Sequence, residues 1–147
     1  MRLRISAQLA IFALIELGMA PDRQLSVADI GEKYGVSSHH LAKVMHTLQR
    51  ARLVRAVRGA GGGYQFSGNA RRATLLDVIE LFENVGSADI DAGESTAEGR
   101  ALRQVLLEVG GIARATLGSI SLATMFKLID RNRDDRPRSA AKNRPAP

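Results

Sequence analysis

Apolar residues recur at three- and four-residue steps through most of this chain, and those steps predict a protein built mainly from helices. From Ser6 to Gly18, the residues Leu9, Ala10, Phe12, Ala13, Leu14 and Leu17 leave almost no polar face, so this helix is expected to be buried nearly all round. Gly18, with Pro21 and Asp22 close behind, ends it. Ser26-Val27-Ala28-Asp29 sets a capping serine three residues ahead of an acid and opens a short helix with Ile30 and Tyr34 on its inner face. Gly35 stops that helix, Val36 packs, and Ser37 or Ser38 caps the next. In this second helix Leu41, Val44, Met45 and Leu48 form one stripe, leaving Ser38, His39, His40 and Lys43 on a polar front. Two short helices joined by a tight glycine-bearing turn make a helix-turn-helix.

The period then shortens to two. Leu53-Val54-Arg55-Ala56-Val57-Arg58 alternates apolar and basic residues, Gly59-Ala60-Gly61-Gly62-Gly63 turns the chain, and Tyr64-Gln65-Phe66 alternates back. This is a small hairpin with a basic, glycine-rich tip. A capped helix followed at once by such a hairpin is the pattern of a winged helix-turn-helix, whose helix enters a DNA major groove while the wing lies along the backbone.

Thr74 and Asp77 repeat the cap-and-acid arrangement ahead of Leu75, Val78, Ile79 and Phe82, a helix that closes the core of a head spanning residues 1–83. Residues 84–96 are polar and acidic and read as a flexible loop. Ser95 with Glu98 predicts a further capping box, opening the longest periodic segment: Leu102, Val105, Leu106, Val109, Ile112, Ala113 and Leu117. That stripe outruns the head and is expected to meet the stripe of a second copy. Gly110-Gly111 inside it marks a bend or a close backbone approach. A short final helix from Ser121 carries Leu122, Met125, Phe126 and Ile129, so residues 97–130 read as a dimerisation helix plus this last helix. Residues 131–147 hold three of the four prolines and many charges, and are expected to be a disordered basic tail. The fold class that follows is mainly α with a β-hairpin wing.

Composition changes this picture in three ways. No run of about 18 apolar residues occurs and Met1-Arg2-Leu3-Arg4-Ile5 lacks the pattern of a secretion signal, so a cytoplasmic protein without membrane association is expected. Cysteine is absent, which removes the thiolates that an iron–sulfur cluster normally needs. The formal charge of +6 is concentrated at the two ends: residues 1–83 hold 11 basic and 7 acidic side chains and residues 131–147 hold 6 and 2, whereas residues 84–130 hold 4 and 6. Phosphate backbones are the partner such a distribution attracts.

Other chemistries fit less well. The glycine-rich turn lacks the Lys-Ser or Lys-Thr pair of a nucleotide-binding loop and leads into a strand instead of a helix. His39, His40 and His46 contain no pair four residues apart, so a metal site is not expected. Asp89, Asp91 and Glu94 read as a solvated loop, and no nucleophile with a base and an acid appears, so neither an enzyme nor a cofactor is expected.

With these residues laid out, the chain resembles the Rrf family of bacterial winged-helix regulators. The likeness rests on residues 37–44, on 53–64 with the wing arginine and glycines, and on Leu76-Asp77-Val78-Ile79 leading to Glu83, and it spans roughly residues 1–130. It implies a homodimeric transcription regulator, often a repressor, that reads an inverted repeat in double-stranded DNA. By matching position, Ser38, His39, His40 and Lys43 would face the groove, with Arg58, Gly59, Gly61 and Gly62 in the wing. Arg2 and Arg55, with Arg71 and Arg72 after the wing, would add phosphate contacts. Two departures stand out. Many members hold an iron–sulfur cluster on three cysteines, whereas residues 84–100 here have none, and Arg52 stands where the family generally has glycine after the recognition helix. A non-specific architectural binder of nucleic acid and a protein-interaction module remain the alternatives.

Overall fold

The caps and stops read from the sequence fix most helix ends in the computed structural model, which describes residues 1–59 and 61–135. Helix α1 (Ile5–Gly18) starts one residue earlier than its pattern and buries apolar side chains on every side, Leu9, Leu14 and Leu17 among them. Each such side chain contributes roughly 1.5–3 kcal/mol. α1 is therefore the post against which α3, α4, α6 and the hairpin pack.

Helix α2 (Val27–Tyr34) opens on a reciprocal cap: the Asp29 N–H donates to Ser26 Oγ at 3.1 Å and the Ser26 N–H donates to the Asp29 carboxylate at 2.9 Å. It closes on Gly35 in the left-handed region, φ 65°. Helix α3 (Ser38–Arg50) is capped by Ser37, whose Oγ accepts the His40 N–H, and buries Leu41, Val44, Met45 and Leu48. At its far end the Arg52 N–H reaches Gln49 O at 3.0 Å and the Leu53 N–H reaches Leu48 O at 3.1 Å. This double closure puts Arg52 in the left-handed region at φ 61°, the one non-glycine so placed among the described residues. An L side chain held there costs about 1–3 kcal/mol.

Strands β1 (Val54–Val57) and β2 (Gly63–Phe66) pair antiparallel, with Val54 opposite Phe66 and Val57 opposite Gly63. A third member joins them. Leu25 and Tyr64 exchange both backbone hydrogen bonds, at 3.1 and 2.8 Å, so the wing is stitched to the segment ahead of α2. Helix α4 (Leu75–Ile79) carries the expected cap of Thr74 and Asp77 but stops after five residues, leaving Phe82 in the following turn. Helix α5 (Ala97–Gly118) is unbroken, and α6 (Leu122–Asp134) returns along α1. The α5–α6 corner is held by the Leu75 N–H on Ile120 O and the Leu122 N–H on Ala73 O.

Three expectations need correction. The α5 cap is Thr96, not Ser95: its Oγ1 accepts the Gly99 N–H at 3.0 Å, because Gly99 is the residue that fits against the Gly93 carbonyl. The loop at 84–96 is in part packed. Val85 and Ala88 are buried, Gly86 lies against Gly110, and Glu94 pairs with Arg103. The last helix is longer than expected, since its turn through Arg131 and Arg133 is helical; residues 136–147 of the expected tail lie outside the described residues.

Candidate nucleic-acid interface

The dry back of α3 fixes what its front presents. Ser38, His39, Ala42, Lys43, His46, Gln49 and Arg50 are exposed along one arc. His40 is different: half-buried, it brings its ring Nε2 to 3.1 Å from Ser6 Oγ and so ties the first turn of α3 to the start of α1. Beyond the first-turn donors and Lys43 expected from the sequence, His46, Gln49 and Arg50 belong to the same exposed face. The signal was available, because 39, 43, 46 and 50 repeat at the same helical steps.

The wing places Arg58, Gly59, Gly61 and Gly62 at its tip, whereas Arg55 lies back along β1 opposite Gln65. Gly59 and Gly61 hold φ of 112° and 74°, and a Cβ on Gly62 would stand 2.5 Å from the Val57 carbonyl, so the tip needs glycine at all three. Arg58 is exposed at that tip. Arg55 is committed across the ladder, donating to Gln65 Oε1 from Nε at 3.1 Å and Nη2 at 2.6 Å. Arg2 is exposed too but borders α5, lining a depression of about 360 Å³ with Glu83, Leu106, Val109 and Gly110.

Glu16, the sole charged side chain of α1, frames α2 for α3. Its carboxylate accepts from the Lys33 ammonium and the Tyr34 hydroxyl, and the Tyr34 ring stacks on Phe12 at 4.8 Å. Burial works to raise the carboxyl pKa, yet the hydrogen bonds from Lys33 and Tyr34 outweigh it and hold the group below its ordinary value. Burial and the same carboxylate push the Tyr34 phenol up.

Helix α5 lies on the head with one flank and leaves another in water. Leu102 is 52 % exposed, Val105 55 %, Val109 57 % and Ile112 69 %. On the packed flank, Gly110 and Gly86 touch so closely that a Cβ on Gly110 would stand 2.6 Å from the Gly86 Cα. The expected close approach therefore falls at Gly110, and Gly111 faces open space.

A head of helix, turn, capped helix and wing, with a donor-rich face on α3, defines a winged helix-turn-helix, DNA-binding transcription regulator. The family model described as Rrf2, iron-dependent transcriptional regulator, matches residues 3–128, and the chain belongs to that family. It is 48 % identical over 135 residues to the HTH-type transcriptional regulator BadM of Rhodopseudomonas palustris, covering 90 % of this chain and 86 % of that one. Among solved structures it is similar to T. potens IscR, with 26 % identity, TM-score 0.72 and 90 % of each chain covered. It is likewise similar to the oxidized form of Staphylococcus aureus CymR, with 25 % identity, TM-score 0.74 and coverage of 86 % and 97 %.

The residues present do not fit the iron in the family description. The chain has no cysteine, Glu94 is taken by Arg103, and the described residues contain no group of three or more His, Asp or Glu placed to hold a metal ion. Among the described residues no helix is long and apolar enough to cross a membrane.

Proposed function

We propose that this regulator is a cytoplasmic, homodimeric repressor that sets two copies of α3 into successive major grooves of an inverted repeat. The observation that carries the reading is the exposed stripe Leu102, Val105, Val109 and Ile112, an apolar flank on a helix whose other flank is already packed. A second α5 crossing it would remove that stripe from water and relate the two heads by a twofold axis, as paired half-sites require. Ser38, His39 and Lys43 would read bases, with His40 at the margin because Ser6 engages its ring. Arg58 with Gly59, Gly61 and Gly62 would lie on the backbone, joined by Arg55 and Arg2.

Two measurements test this together. Light scattering on purified protein should give twice the chain mass, and selection from a random duplex pool should return a two-half-site palindrome. A monomer at micromolar concentration, or a pool that never enriches, rejects the reading.

A further inference from the structure

Four arginines flank the base of the wing in sequence, and two of them share one cleft. Arg50 ends α3, Arg52 sits in the short link 51–53 between α3 and β1, and Arg71 and Arg72 follow the wing in the turn before α4. Among the described residues none of these side chains makes an ion pair or a hydrogen bond, whereas Arg103 and Arg114 each hold a carboxylate. Arg52 and Arg72 line one open cleft of about 470 Å³ with Leu53, Ser67 and Asn69. The carboxylate in its wall, Asp77, accepts the Thr74 N–H at the start of α4. The cleft thus carries net positive charge and asks for an anion.

Backbone geometry points the same way. The closure of α3 places Arg52 at φ 61°, a slot that glycine fills without strain. Residues held in such a conformation cluster at binding sites. The corner it occupies lies at the base of the hairpin, between the end of α3 and the start of β1, and guanidinium groups pair well with phosphate.

We propose that Arg52 and Arg72 form a third contact of each protomer to the DNA backbone, beyond the recognition helix and the wing tip. The inference rests on the groove-and-wing placement proposed above. Its test uses random duplex as well as any selected operator, so it survives the absence of a palindrome.

The experiment compares the full-length wild type with Arg52→Gly, Arg52→Lys and Arg72→Gln in DNA affinity over a salt series, alongside thermal melting. Arg52→Gly should melt no lower than wild type, yet bind DNA several-fold more weakly. Its log-affinity against log-salt slope should be shallower by about 1 per protomer. Arg72→Gln should reproduce that change in slope, and Arg52→Lys should keep most of the wild-type slope. Wild-type affinity and slope in Arg52→Gly and Arg72→Gln would overturn the proposal. So would a loss confined to one base sequence, which would mark base readout. A third overturning result is inorganic phosphate raising the melting temperature of wild type but not of Arg52→Gly while the DNA slopes stay equal, which assigns the cleft to a small anion.

Discussion

Helices α3 and α5 carry apolar side chains at the same helical steps, yet one stripe is dry and the other stands in water. Leu41, Met45 and Leu48 are fully buried against α1 and its neighbours, while Val105, Val109 and Ile112 stay more than half exposed. The difference teaches what each helix lacks. α3 finds its apolar partner within its own chain and leaves donors free for another molecule. α5 has used its Ala113 and Leu117 flank on the head and still presents a second apolar flank. The second copy proposed above would give that flank an apolar partner, which DNA would not.

Breaking the dry stripe should cost most. Leu48→Ala is expected to lower unfolding free energy by about 2–5 kcal/mol, because the cavity it leaves is walled by a packed core. Ile112→Ala should change the stability of the isolated monomer by no more than about 0.5 kcal/mol. Urea titration compares the first pair directly. Val109→Glu with Ile112→Glu should leave the fold intact while light scattering shows a single chain mass; equal losses of fold from both stripes would erase the contrast.

Next in size is the packed flank of α5. Gly110→Ala drives a methyl into the Gly86 backbone and should cost about 1–3 kcal/mol, with Gly111→Ala, in open space, neutral or stabilising. Thermal melts of the two neighbours sharpen which side of α5 meets the head. On α3 the matching test is Lys43→Ala, exposed and outside the core. It should leave the melt unchanged, weaken operator binding by about 1–3 kcal/mol and shift sequence preference in a repeated selection. An unchanged preference would remove Lys43 from base readout.

Much of this was legible because it is local. Ser26 with Asp29, Ser37 and Thr74 with Asp77 announce helix starts by side chains that reach only three residues, and the stripe of α3 needs no knowledge of what covers it. What was not legible depends on distant partners. The Leu25 bridge to Tyr64 spans the whole helix-turn-helix and leaves no periodic trace in a single residue. The loop at 84–96 looks polar because its anchors are small: Gly86 meets Gly110 by having no side chain, and Ala88 buries only a methyl. His40 reads as a donor like His39 until the start of α1 arrives beside it with Ser6. The α6 turn past Asp130 was hidden by charge, since an amphipathic end rich in arginine resembles a solvated tail.

The smallest effect concerns how α3 is framed. Glu16 joins α1 to the end of α2 through Lys33 and Tyr34, just ahead of the Gly35 turn into α3, whereas the exposed stripe of α5 carries no titrating group. Its carboxyl is held below the ordinary value of 4.5 in the folded protein. A depressed carboxyl stabilises the fold above its unfolded pKa, and that contribution disappears as pH falls through the folded value. Glu16→Gln should therefore lower stability at neutral pH by less than about 1 kcal/mol, Lys33 being well exposed, and the gap should close as pH falls below 4.5. Melting temperatures of both proteins from neutral to strongly acidic pH measure this gap, and a constant difference across that range would show that Glu16 acts by packing alone.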